Sequence, residues 1–321
     1  MSVIPARPFS PLSVYCGDAL LSDFVYSKTL ANTSRYTVSM DFSEDGRILY
    51  TGLIIDRAML CYTNFAGTPW ELDDFVSHGV NWSDWPNGSQ GRQQCSGIHC
   101  GPGTPPTFMI ASHDSTVSGK WVKWGMPIVD RNGDPLDSSL YGTFDGINSS
   151  TNVGGMTILQ EVGNASPTSP IQTYNRIVGF RISPDGTVMF SRSNAGGSVI
   201  LQEDFGTAWD LTALTLVDRS EGSTYGNSNN IWVDEAGINI YTASGQTAYQ
   251  LCTSDPWVCS STTIPQPPTL VDSVDISTLL PEPEATAMGN ISNIMLSPDK
   301  TRMYIVEYVG TSNANIHQFN R

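Results

Sequence analysis

Four segments of the chain share one pattern of apolar and polar positions. Each has an alternating apolar run, a turn rich in Ser, Pro, Asp and Gly, and a second alternating run, at residues 40–50, 180–190, 231–241 and 294–304. Pro and Gly supply the backbone angles of a tight turn, and Asp accepts hydrogen bonds from the turn itself. Alternation is typical of half-buried strands. The pattern therefore predicts four β-hairpins in an all-β fold built from repeats.

A second element, which contains a tryptophan, follows three of these turns. Trp70, Trp209 and Trp257 each lie 21 to 25 residues after a turn position. After the fourth turn the sequence shows no such element, but segment 7–15 is similar to segment 207–215 and has Phe9 in the place of the tryptophan. We therefore expect segments from the two ends of the chain to complete one sheet, which would remove free sheet edges.

This spacing predicts a single β-propeller domain over residues 1–321, with five blades and with six as the alternative count. The expected blades cover about 36–90, 91–175, 176–225, 226–285, and 286–321 together with 7–34. In the second of them the motif is lost. Strands are predicted there at 107–112, 119–125, 126–130 and 156–160.

Charge and hydropathy narrow the function classes. The net charge is −15 and the isoelectric point is about 4.4, so a basic face for nucleic acid is not expected. No apolar run reaches the roughly 20 residues of a membrane-spanning helix, so membrane insertion is not expected either. The first residues of the chain lack the apolar core of a signal peptide, and we expect synthesis in a host cytoplasm.

The pairing of turn and tryptophan resembles the propeller-type repeats of tailed phages and marine viruses. The best copies are residues 183–189 with 208–211, and residues 297–306. The resemblance implies a non-enzymatic structural protein of the virion, a propeller on a tail or head appendage for host-surface attachment or subunit docking. Its partners would be other virion proteins and a host cell-surface glycan or protein, with a homo-oligomer left open. The alternatives are a propeller hydrolase or lactonase with a metal in the central channel, and a cytosolic scaffold propeller.

Two thiols and an imidazole lie close together at Cys95, His99 and Cys100. As a zinc site this set lacks a fourth ligand and the usual paired cysteine spacing. A disulfide between Cys95 and Cys100 under oxidising conditions and unpaired loop thiols are the other interpretations.

Four further cysteines are interpreted from their contexts. Cys252 and Cys259 could form a loop disulfide under oxidising conditions. Cys16 and Cys61 lie in strand-like segments and are expected to be small core residues.

Residues 130–137 resemble the start of a calcium loop. Asp130, Asn132 and Asp134 provide oxygen ligands at alternate positions, but Pro135 stands where such loops need glycine. An Asn-Gly hairpin turn explains the same residues, so no cofactor is expected, with calcium or zinc as the alternative.

Trp82 and Trp85 lie in a polar segment rich in Gly and Pro. They could stack on sugar rings or dock a partner, or they could pack beneath their own loop. The four histidines are scattered and no nucleophile motif is present, so the sequence predicts no enzyme.

Overall fold

The structure is a computed structural model. It describes residues 16–31, 37–53, 59–64, 67–78, 94–103, 106–114, 120–125, 157–163, 177–193, 199–220, 231–253, 255–258, 268–309 and 313–321. All structural statements below concern these residues.

The described residues form five antiparallel sheets of four strands each, which we name A to E. Sheet A contains β1 (Val25–Leu30), β18 (Asn290–Leu296), β19 (Arg302–Val309) and β20 (Asn313–Asn320). Sheet B contains β2 (Thr37–Phe42), β3 (Ile48–Leu53), β4 (Met59–Thr63) and β5 (Val76–His78). Sheet C contains β6 (Gln94–Cys100), β7 (Phe108–Asp114), β8 (Lys120–Gly125) and β9 (Thr157–Gly163). Sheet D contains β10 (Ile177–Ile182), β11 (Val188–Ser193), β12 (Val199–Phe205) and β13 (Leu214–Ser220). Sheet E contains β14 (Ile231–Val233), β15 (Asn239–Ser244), β16 (Thr247–Cys252) and β17 (Thr269–Asp275). The prediction of an all-β fold is confirmed.

The sheets contact one another in a cyclic order. Strands β18, β2, β6, β10 and β14 each touch the next, and β14 touches β18. Sheet A combines strands from distant parts of the chain, because β1 pairs with β20 in the register Val25↔Asn320 to Leu30↔Ile316. The segments expected to share a sheet therefore lie together, although the N-terminal contribution is the short strand β1.

The predicted turns connect β2 to β3, β10 to β11, β14 to β15 and β18 to β19. In the first of them the amide of Ser43 donates to Ile48 (2.8 Å) and the Ser43 hydroxyl donates to Asp45 (2.8 Å). The Asp45 carboxylate also accepts from the amide of Arg47 (3.1 Å). Ser and Asp thus satisfy the turn's own donors, which explains why both recur in the repeat.

Four first strands carry a β-bulge at the same place. The register shifts fall between Thr37 and Ser39, Cys95 and Gly97, Ile177 and Gly179, and Ile291 and Asn293. A bulge re-aims the residues that follow it. The residues between bulge and turn therefore occupy matching positions in each of these sheets.

The hydrophobic core lies between adjacent sheets rather than inside one layer. One cluster joins Ile110 and Trp121 of sheet C to Met189 and Leu201 of sheet D, and all four are fully buried. Similar clusters join sheet D to sheet E, and sheet A to sheets B and E.

Helices are few and short in the described ranges. They are the 3-10 helices Leu21–Asp23, Leu72–Asp74, Leu211–Ala213 and Ile276–Leu279, and the α-helix Glu284–Ala287. None of them has the length and apolar character of a membrane span.

Candidate functional site

One position of the first strand can be matched in all five sheets from the hydrogen bonds of the hairpins. It lies two residues before the amide that closes each hairpin. The residues there are Asp41, His99, Arg181, Trp232 and Met295. Three of the five are polar, and they come from three successive sheets.

Asp41, His99 and Arg181 form what we call the central cluster. Arg181 Nη1 lies 2.8 Å from Asp41 Oδ1 and 3.1 Å from His99 Nδ1. His99 Nδ1 is 3.2 Å from Asp41 Oδ2, which also accepts from the amide of Cys100 (2.7 Å). Asp41 and His99 are buried, and the Arg181 guanidinium lies 5.9 Å from the ring centre of Trp232. Sheets B, C, D and E thus meet at this cluster.

The cluster sets the protonation of its members. Burial raises the pKa of Asp41, but the charge of Arg181 and the hydrogen bond from His99 outweigh it and hold that pKa below the usual value. Burial lowers the pKa of His99, and the charge of Arg181 lowers it further against the opposing effect of Asp41. At neutral pH the cluster is therefore a carboxylate and a guanidinium beside a neutral imidazole.

Arg181 compensates the charge of Asp41 in this arrangement. An Asp–His pair can serve as a general base or as part of a metal site, but here Arg181 Nη1 lies within hydrogen-bond distance of Asp41 Oδ1 and His99 Nδ1, so its charge would repel a cation placed between them. No group of three metal-ligating side chains converges among the described residues. The ion pair between Asp41 and Arg181 joins sheet B to sheet D.

The repeated tryptophans pack on the glycines of the repeated turns. Trp209 has a φ of 63° and its amide donates to the carbonyl of Gly186 (2.9 Å). A Cβ atom added to Gly186 would lie 2.2 Å from the indole ring. Trp70 on Gly46 and Trp257 on Gly237 repeat this geometry. The glycine is therefore required both for its positive φ and for the contact with the ring.

Each tryptophan also faces the preceding sheet. The Trp209 ring stacks on His99 of sheet C, with ring centres 5.7 Å apart and planes at 8°. Its carbonyl accepts from Lys123 (2.8 Å), and the carbonyl of Trp70 accepts from the hydroxyl of Tyr304 of sheet A. The tryptophan element is thus a connector between sheets, and one copy supports the central cluster directly.

A glutamine of the preceding sheet completes two of these connectors. Gln318 accepts from the amide of Leu72 (3.0 Å) and donates to Glu71 (3.2 Å). Gln160 accepts from the amide of Leu211 (3.0 Å) and donates to Asp210 (2.7 Å). The acid and leucine after each of these tryptophans are therefore bound by one neighbouring side-chain amide.

The structure corrects the assignment of Phe9 to the tryptophan position. Residue 9 lies outside the described ranges, and Ala19 occupies that position, because its carbonyl accepts from Tyr241 as that of Trp70 does from Tyr304. The turn of sheet A has Lys300, at φ 56°, where the other turns have glycine. The Lys300 side chain reaches two carboxylates, with Nζ 2.9 Å from Asp234 Oδ2 and 4.0 Å from Asp18 Oδ2.

The cysteine predictions are also corrected. Cys95 and Cys100 lie on one strand, about 16 Å apart at the strand rise of ~3.3 Å per residue. A disulfide requires Cα atoms within about 7 Å, so that pairing is wrong. His99 and Cys100 are neighbours in the strand and point to opposite faces, and the His99 ring is held in the central cluster, so the zinc set is not assembled.

Cys252 forms a disulfide with Cys16, with Cα atoms 5.8 Å apart, and not with Cys259. Cys16 is an exposed cross-linked residue rather than the expected core residue. The side chain of Cys61 is not part of the described structure, so its expected core position stays a prediction. The sequence did not indicate the Cys16–Cys252 pair because 236 positions separate the two residues.

Five predicted site residues lie outside the described residues: Trp82, Trp85, Asp130, Asn132 and Asp134. Their roles stay predictions. Asp41 and Arg181 were missed, although each interrupts an apolar strand two residues before the hairpin closes. A charged residue at this position of an apolar strand was the sequence signal that could have identified Asp41 and Arg181.

Comparison with known proteins adds little to this geometry. No family model matches the chain, and no curated protein matches it. A solved structure to which the chain is similar is that of the Dos1 propeller, with a TM-score of 0.35 and 10% identity. The match covers 93% of this chain and 55% of that chain, so this chain spans little more than half of its length.

Proposed function

We propose that sheets A to E are the blades of a five-bladed β-propeller. The cyclic contacts of their first strands and the central cluster, which reaches from sheet B across to sheet D, support this arrangement. The pairing of β1 with β20 supports closure of the ring through sheet A.

We infer further that the propeller is a non-catalytic binding module of a phage virion, on a tail or head appendage. The observation that carries the binding role is the central cluster, in which polar groups converge from three sheets and the charges of Asp41 and Arg181 neutralise one another. Recognition then falls to the loops around the ring. The viral assignment rests on the similarity of the turn and tryptophan repeat, whose parts here act together as connectors.

The segment that links β5 to β6 is the proposed recognition segment, because its sequence contains Trp82 and Trp85 among polar residues. Its partner is a host cell-surface glycan or protein, or a neighbouring virion subunit. The alternative, a hydrolase with a metal in the channel, is disfavoured because Arg181 would repel a cation at Asp41 and His99.

Two measurements test this proposal. Peptide mass spectrometry of purified virions is expected to detect the chain as a particle component. Purified protein is expected to bind host cells, and the double variant Trp82→Ala/Trp85→Ala to lose at least tenfold in affinity. Val217→Thr, at an exposed position on β13, serves as the control and is expected to bind as the unmodified protein does.

Absence of the chain from particles, together with hydrolysis of an ester, lactone or glycoside by the purified protein, would overturn the proposal. Unchanged binding by the double tryptophan variant would instead reject only the recognition segment.

A further inference from the structure

The segment that precedes β1 is attached to sheet E, although β1 itself belongs to sheet A. Cys16 is disulfide-bonded to Cys252 at the end of β16. The amide of Gly17 donates to Asn239 (3.1 Å), and the amide and hydroxyl of Ser22 donate to Asp272 (2.9 and 3.0 Å). The covalent bond thus reinforces a polar contact between two neighbouring sheets.

The chain's connectivity makes this attachment important. β1 leads directly into β2 of sheet B, whereas the other strands of sheet A follow sheet E in the chain. The contact between sheets A and B therefore depends on the pairing of β1 with β20 and on side-chain contacts such as Arg302 with Glu71 (2.8 Å). All of these are non-covalent. Among the described residues, the disulfide alone ties the start of β1 to its neighbour through a covalent bond.

The two sulfur positions differ in access. Cys16 is exposed, and Cys252 is buried at 6% exposure. A soluble thiol can therefore approach the bond from the Cys16 side and attack there, which releases Cys252 as the leaving thiolate. The Cys16–Cys252 disulfide can therefore be reduced without prior unfolding of the chain.

We propose that the Cys16–Cys252 pair is a redox latch that holds β1 in sheet A. In reducing surroundings both residues are thiols. Oxidised glutathione, or another small disulfide, accepts two electrons and two protons from the pair and becomes two thiols as the Cys16–Cys252 bond forms. The latch then closes in oxidising surroundings, such as those outside a cell, and β1 becomes resistant to release. This inference does not depend on the viral assignment.

Hydrogen exchange on the full chain tests the latch. Protein treated with oxidised glutathione is expected to give a cross-linked peptide with Cys16 and Cys252, and protein treated with a phosphine reductant to give both thiols. Reduction is expected to speed amide exchange in β1 by roughly 10- to 100-fold while exchange in sheet D stays the same. The variant Cys16→Ser/Cys252→Ser is expected to show the faster exchange with or without reductant.

Cys100→Ala leaves the pair intact and serves as the control, with the same response to reductant as the unmodified chain. Recovery of both cysteines as thiols from the oxidised sample would overturn the proposal. So would equal exchange of β1 in the two redox forms, or an equal acceleration in all sheets, which would indicate general destabilisation. Reduction of the unmodified chain tests the latch even where the double variant does not fold.

Discussion

Glu203 lies in a row of apolar side chains on β12. Val199, Leu201 and Phe205 occupy the same face of the strand and belong to the cluster between sheets C and D. Glu203 is fully buried, its Oε1 accepts from Ser191 (2.9 Å), and its Oε2 has no hydrogen-bond partner among the described residues. Burial raises the pKa of Glu203 to about 8, so the folded chain holds this carboxyl group protonated at neutral pH.

A pH-dependent stability follows from this proton. The unfolded chain releases it near the usual glutamate pKa of 4.5 and the folded chain near about 8, so the folded state binds more protons between these values. The free energy of unfolding therefore falls as the pH rises from about 4.5 to about 8, by ~1.4 kcal/mol per pH unit. We expect Glu203→Gln to remove this fall and to be the more stable protein at pH 8, measured by denaturant unfolding.

The exposed Glu235 provides the matched control, since Glu235→Gln changes the same chemistry at the surface. It is expected to keep the pH slope of the unmodified chain. Equal slopes for Glu203→Gln and the unmodified chain would show that Glu203 is ionised in the fold.

At the scale of elements, local patterns predicted the hairpins well. The turn residues and the alternating apolar positions of one hairpin lie within about ten residues of each other, so the four repeated hairpins could be predicted directly from the sequence. The partners of the tryptophan elements could not, because the contact of Gln318 with Leu72 joins residues 246 positions apart. The misplaced Phe9 shows the same limit. Lys300, which replaces the glycine of the other repeated turns, was the local sign that no tryptophan ring packs on the turn of sheet A.

The glycine beneath each tryptophan has two roles that substitution can separate. Gly186→Ala places a methyl group against Trp209 at a φ of 74°, whereas Gly245→Ala has a φ of 58° and no heavy atom within 4 Å. We expect Gly245→Ala to cost about 1 kcal/mol, from backbone strain alone. Gly186→Ala is expected to cost about 3 kcal/mol, because overlap with the ring is added. Thermal and denaturant unfolding of both variants measure the difference.

A second change isolates the ring contact. In a Trp209→Ala background the additional cost of Gly186→Ala is expected to fall to that of Gly245→Ala, which reproduces the combination of Ala19 and Lys300 in sheet A. An undiminished cost in that background would assign the whole effect to the backbone.

At the scale of the whole molecule, the central cluster is what local patterns could not predict. Asp41 and Arg181 are 140 positions apart, and His99 lies 82 positions from Arg181. Their meeting depends on the register of three strands in three sheets. A bulge of equal placement in each of these first strands aligns the registers, and such bulges leave no clear mark in the sequence.

Arg181 is expected to be the member of the cluster on which stability depends most. Arg181→Leu would leave the buried Asp41 carboxylate without its cation, at a cost of about 3–5 kcal/mol at pH 8. Adding Asp41→Asn removes the unpaired charge and is expected to restore most of that loss in a double-mutant cycle.

The pKa of His99 lies below its usual value in the native cluster, so protonation of His99 at low pH opposes folding there. Without Arg181 the pKa of His99 rises beside Asp41, and the folded variant takes up a proton as the pH falls. The deficit of Arg181→Leu should therefore shrink between pH 8 and pH 5.5 in denaturant unfolding. An equal deficit at both pH values would mean that Asp41 and His99 are not coupled through Arg181.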